Sequence, residues 1–128
     1  MVKYGMVIDV GRCVGCYSCY IACFDEHVGI SHLPVAAAQP ESGHRWIDIK
    51  AREQGTCPTL KVTYTPVPCL MCEDAPCMKV DTNGAVTRRA DGIVLIDPEK
   101  ARGQRKLVSS CPYKAIYFNP TTTTSEKC

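Results

Sequence analysis

Cys13-Val14-Gly15-Cys16-Tyr17-Ser18-Cys19-Tyr20-Ile21-Ala22-Cys23 is the stretch from which the rest of the chain is read. Its four cysteines are separated by two, two and three residues, the spacing of a bacterial-type 4Fe–4S run. Three thiolates so close in sequence can wrap one corner of a cubane. The fourth, Cys23, opens a helix that turns away, so it is expected to serve a neighbouring cluster. Phe24 follows it where such runs carry proline.

A second set follows in Pro68-Cys69-Leu70-Met71-Cys72-Glu73-Asp74-Ala75-Pro76-Cys77. Its own fourth position falls at Asp81, a hard carboxylate and a poor match to a soft cluster site. The expected fourth ligand is instead Cys111, in the pair Cys111-Pro112. An internal repeat explains why Cys111 stands alone. Gly92-Ile93-Val94-Leu95-Ile96-Asp97 resembles Gly5-Met6-Val7-Ile8-Asp9. Counted from Asp9, offsets of four, seven, ten and fourteen reach Cys13, Cys16, Cys19 and Cys23; counted from Asp97 they reach Ala101, Gln104, Leu107 and Cys111. Three ligand positions have been emptied and one kept.

Cys13, Cys16 and Cys19 still need a fourth ligand, and Cys23 needs a cluster to serve. Cys128 reads as the first cysteine of a further run, which makes this chain the N-terminal part of a longer subunit. The alternative is a short protein in which Cys23 or Cys128 substitutes locally. Cys57, in a turn outside any run, is not expected to bind metal.

With ten cysteines in 128 residues, a metal protein or a disulfide scaffold is the leading idea. Residues 1–6 lack the basic-then-apolar pattern of a secretory signal. No window approaches the ~18 apolar residues of a membrane span. A cytoplasmic location without a direct membrane span is expected, and there clustered cysteines favour metal. Zinc knuckles would be the competing metal sites. The formal charge of +2 comes from interspersed residues, so no nucleic-acid partner is expected. No Ser–His–Asp set, phosphate-cradling glycine loop or acid–base pair accompanies the cysteines, which leaves no catalytic residue to name.

Strands are expected at residues 4–9, 46–52, 60–65 and 115–119, a helix at 19–27, and a hairpin turn at 55–58. Residues 29–43 read as a connection and 121–128 as a polar tail. His27, His32, His44, Arg12, Arg88, Arg89 and Arg105 read as surface or interface residues, Trp46 as core or interface, and Asp81 as a helix-end or loop carboxylate. The fold class is α+β: a ferredoxin-like 4Fe–4S domain over residues 1–128, with short strands, cysteine loops and a β-hairpin insertion at about 29–66.

The pattern resembles the ferredoxin-type small subunits of molybdenum or tungsten bis-pterin enzymes of the dimethyl sulfoxide reductase family, and within them the transhydroxylase type. The matching stretches include Asp25-Glu26-His27, Gly43-His44-Arg45-Trp46, Cys69 to Cys77, residues 91–100 and Cys111-Pro112-Tyr113. The resemblance implies an electron-transfer subunit with a molybdopterin-containing catalytic partner acting on hydroxylated aromatics, by hydroxyl transfer or dehydroxylation. It implies two to three 4Fe–4S clusters in the complete protein. One would use Cys69, Cys72, Cys77 and Cys111, one Cys13, Cys16 and Cys19 with a late cysteine, and one Cys23 with the run beginning at Cys128. A free-standing ferredoxin-like carrier is the alternative.

Overall fold

A computed structural model describes residues 2–41 and 45–128; Gly43 and His44 of the matching stretch lie outside them. The elements in order are α1 (Ser18–His27), β1 (Asp48–Gln54), β2 (Lys61–Val67), α2 (Pro76–Val80), β3 (Val86–Arg88), β4 (Val94–Ile96), α3 (Lys106–Ser110), β5 (Tyr117–Asn119) and β6 (Thr124–Glu126). Short helices and three two-stranded antiparallel ladders make an α+β arrangement.

The expected hairpin is present. β1 and β2 pair from Asp48 with Val67 to Gln54 with Lys61. Gly55 opens its turn at φ +91°, where a Cβ would come within 2.6 Å of the Thr59 carbonyl oxygen. The hairpin also supports the first cysteine loop. Gly15 lies against the Tyr64 ring of β2, and a Cβ there would meet it at 2.6 Å.

Residues 4–9 form no strand, contrary to the sequence reading, and Val7 is 95% exposed. The reason is the lack of a neighbour. The repeated segment becomes β4 because β3 lies just upstream and folds back on it, Val86 facing Ile96. Among the described residues no strand stands beside residues 4–9, and a strand without a ladder leaves its backbone groups to water.

The polar tail is also corrected. Residues 124–126 form β6, paired with β5, and are buried. Burial is possible because the polar groups satisfy one another. The Glu126 carboxylate accepts from Tyr117 Oη (2.8 Å), Asn119 Nδ2 (3.1 Å), Thr122 Oγ1 (3.0 Å) and Thr124 Oγ1 (2.7 Å). Ser125 Oγ donates to the Gln104 carbonyl at 2.8 Å. The ladder is thereby tied to the loop before α3.

The main apolar cluster among the described residues lies in the second half: Ala75, Cys77, Ala85, Val86, Val94, Ile96, Ala101, Leu107 and Ile116. By contrast α1 buries none of its residues. It is held by contacts between rings, Tyr20 to Phe24 at 5.7 Å and His27 to Trp46 at 4.5 Å. Trp46 is buried as expected.

The emptied run is part of this core. Ala101 and Leu107 are both fully buried, and Gln104 is nearly so. Gln104 Oε1 accepts from Thr82 N and Oγ1, while its Nε2 donates to Asp81 Oδ1 at 3.0 Å and to the Lys100 carbonyl at 3.0 Å. Asp81 is the helix-end carboxylate expected, following Val80 at the close of α2. Burial pushes its carboxyl up, but donors at Val86, Asn83 and Gln104 outweigh that and hold it below the usual carboxylate range. The three emptied positions are filled by two apolar side chains and by Gln104, which closes a polar pair with Asp81.

Leu107→Ala should therefore cost about 2–5 kcal/mol of stability. Val7→Ser, on the open segment, should change it by no more than about 0.5 kcal/mol. Urea denaturation followed by far-UV circular dichroism compares the two.

Candidate metal centre

Cys69, Cys72, Cys77 and Cys111 line one pocket, walled by Leu70, Val94, Pro112 and Ile116 among other apolar residues. Local structure explains how they meet. Pro76 sits at the N-terminus of α2, where its missing N–H is no loss, and places Cys77 on the core side. Cys111 ends α3 in extended backbone, and α2 and α3 pack side by side. Met71, between the first two cysteines, takes a left-handed φ of +48°, which reverses the chain within the loop. Cys111 Sγ accepts from Ala115 N at 3.4 Å.

The loop carbonyls are held by a residue the sequence reading had placed on the surface. Arg88, on β3, donates to the carbonyl oxygens of Cys72 and Glu73, the latter at 2.6 Å, and to Gly92 O at 3.3 Å. No local pattern marks this role, because it depends on β3 passing beneath residues 69–77. Arg105 lies instead over the Phe118 ring, at 4.1 Å.

The other thiols are less enclosed. Cys16 and Cys19 are exposed and Cys13 half-buried. Ser18 hydrogen-bonds Cys16 at 3.3 Å and draws its thiol down from the usual value. Among the described residues this set has no enclosed fourth thiol. Cys23 faces a different neighbour. Burial, then Cys128 and Cys19, push the Cys23 thiol up to about 11, which puts Cys128 within electrostatic reach. Cys128 Sγ also accepts from the Cys69 backbone N–H at 3.3 Å, so it touches the loop of the second set. Cys57 is exposed in the hairpin turn, apart from all of these.

All ten cysteines are free. No group of three or more His, Cys, Asp or Glu among the described residues closes tightly enough to hold one metal ion. A tetrahedral zinc ion needs all its thiolates about 2.3 Å from one point, whereas a cubane spreads its ligands over four corners. Four soft donors in an apolar pocket fit a 4Fe–4S group at Cys69, Cys72, Cys77 and Cys111.

His27 is half-buried. Its ring lies between Trp46 and His32 with Nδ1 buried, and burial holds its pKa below the usual value. His32 is exposed, as expected.

A family model described as "4Fe-4S dicluster domain" matches residues 60–128. The chain belongs to that family. Its cofactors are 4Fe–4S clusters. Over 128 residues it is 47% identical to the pyrogallol hydroxytransferase small subunit of Pelobacter acidigallici, covering all of this chain and 46% of that one. It is 39% identical over 121 residues to a selenate reductase subunit of Mesobacillus selenatarsenatis, covering 92% and 37%. It is 37% identical over 120 residues to the arsenate respiratory reductase iron–sulfur subunit of a Shewanella species, covering 94% and 47%. The chain thus spans about half or less of the length of these relatives. No helix among the described residues is long and apolar enough to cross a membrane.

Arg88→Met should loosen the Cys69–Cys77 loop. In the metal-free protein, alkylation of buried Cys77 should speed up by about tenfold, since charged hydrogen bonds each contribute about 1.5–3 kcal/mol. Mass spectrometry of iodoacetamide-treated protein reads the rate.

Proposed function

We propose that this chain is the electron-transfer part of an iron–sulfur subunit that serves a molybdopterin catalytic subunit. The observation that carries the reading is the contact between thiol sets: a ligand of one set, Cys128, accepts a hydrogen bond from the backbone of another, Cys69. Clusters bound at such neighbouring sets form a wire rather than isolated structural posts. The chain is assigned a ferredoxin-like fold over residues 1–128, with the segment of about 29–66 as its insertion.

Cys69, Cys72, Cys77 and Cys111 hold one cluster in this reading. Cys13, Cys16 and Cys19 supply three ligands of a second, and Cys23 and Cys128 belong to a third. A 4Fe–4S group supplies one-electron transfer with little change of geometry. The chain's residues do the rest. Pro76 and α3 aim Cys77 and Cys111, Arg88 fixes the loop, and Val94 and Ile116 keep water away. Chemistry on the substrate is assigned to the partner. Identity with a pyrogallol hydroxytransferase small subunit across the whole chain supports a partner acting on hydroxylated aromatic compounds. The selenate and arsenate reductase subunits support electron delivery as the shared role.

Anaerobic iron and acid-labile sulfide assays, with electron paramagnetic resonance after dithionite reduction, test the reading. Cys111→Ser should remove about four irons per chain and one reduced-cluster signal. Cys57→Ser should remove none. Zinc in place of iron in the purified protein would overturn the proposal.

Co-purification supplies the second check. Expressed with a pterin-containing subunit, the protein should elute with it, and its dithionite-reduced clusters should be reoxidised by that subunit's substrate. Elution as a free carrier with no such reoxidation would refute the partnership.

A further inference from the structure

Lys127 is 8% exposed. Its ammonium has two polar neighbours, the Met71 thioether sulfur at 3.6 Å and the Cys128 carbonyl oxygen at 3.0 Å. It forms no ion pair among the described residues. A buried charge matched only by a thioether and one carbonyl is costly, and proteins keep such charges where an anion sits nearby. No side-chain carboxylate among the described residues supplies that anion. Glu126, next in sequence, is already committed to four donors of its own ladder.

The place of Lys127 identifies what does supply it. Met71 lies inside the Cys69–Cys72 loop, and Cys128 follows Lys127 directly. The lysine therefore stands where two thiol sets meet, beside the Cys69 N–H that donates to Cys128 Sγ.

We infer that Lys127 is a fixed counter-cation at the junction of two clusters, and that it raises the reduction potential of the one held by Cys69, Cys72, Cys77 and Cys111. A cluster with four thiolate ligands is a net anion and gains a further negative charge on reduction. A buried cation favours that reduced state, and the Cys69 N–H donated to Cys128 sulfur acts the same way on the neighbouring cluster. Lys127 is thus a positioning residue that sets the level at which electrons rest. The inference depends on the ligand assignment proposed above.

Redox titration of the cluster-loaded protein, followed by electron paramagnetic resonance, tests it. An elementary charge close to the ligating loop, in an effective dielectric of about 20, is worth roughly tenfold in the reduced-to-oxidised ratio. Lys127→Met should lower that ratio by about tenfold at fixed applied potential, a shift of about 59 mV for a one-electron couple. Lys127→Arg, which keeps the charge, should restore most of it. Should Lys127→Met lose iron, Lys127→Gln takes its place, with a polar tip and no charge. Full iron content with an unchanged potential in either neutral variant overturns the inference. So does loss of iron in all three variants, which would make the residue structural. Cys111→Ser separates this failure from that of the ligand assignment: if it keeps every iron, the assignment is wrong whatever Lys127 does.

Discussion

Everything in the second half of this protein depends on bringing four thiols, from two segments of chain, to one apolar pocket. Cys69, Cys72 and Cys77 come from a single loop, but Cys111 must arrive from the far end of α3. The core is arranged to make that meeting stable. α2 and α3 lie against each other, β3 and β4 fold beneath them, and Leu107 and Val94 are wholly buried between. Arg88 then ties the ligating loop to the sheet through the Cys72 and Glu73 carbonyl groups. Burial pushes the Cys77 thiol up, so ligation there must repay the cost of removing its proton.

The two halves show what becomes of the same segment in different company. The run at Cys13 to Cys23 keeps its thiols but has no core; the run at Ala101 to Cys111 keeps one thiol and has become core. A cubane removed from a packed interior would leave a void, and voids of that size are expensive. Leu107 and Ala101 fill the space. Gln104 and Asp81 close the polar remainder by bonding to each other and to Thr82. Asp81 stands where the spacing of the second run would place a fourth cysteine.

Electrostatics join the sets that remain. Burial raises Cys23, Cys77 and Cys128 alike, and such thiols become good ligands only when a positive centre stabilises the thiolate. Iron provides most of that. Lys127 and the Cys69 N–H add a fixed contribution at the point where one set touches the next, and neither has to move when an electron arrives.

The cysteine spacing alone determined the kind of cofactor, because a cubane needs soft ligands at short, regular intervals and few other groups do. It also pointed to Cys111 as the partner of Cys69, Cys72 and Cys77, four cysteines that line one pocket in the fold. The hairpin, α1 and the cap role of Asp81 were legible for the same reason: each rests on residues close together in sequence. What only the tertiary structure decided involves partners far apart. Residues 4–9 and Gly92 to Asp97 look alike, yet only the second becomes a strand, because only it has β3 alongside. The polar segment 124–126 is buried because Tyr117, Asn119 and two threonines satisfy Glu126. Arg88 and Lys127 carry no local mark of their roles. A charged side chain acquires such a role from what the fold places around it, and burial and hydrogen bonding are properties of that neighbourhood rather than of the residue.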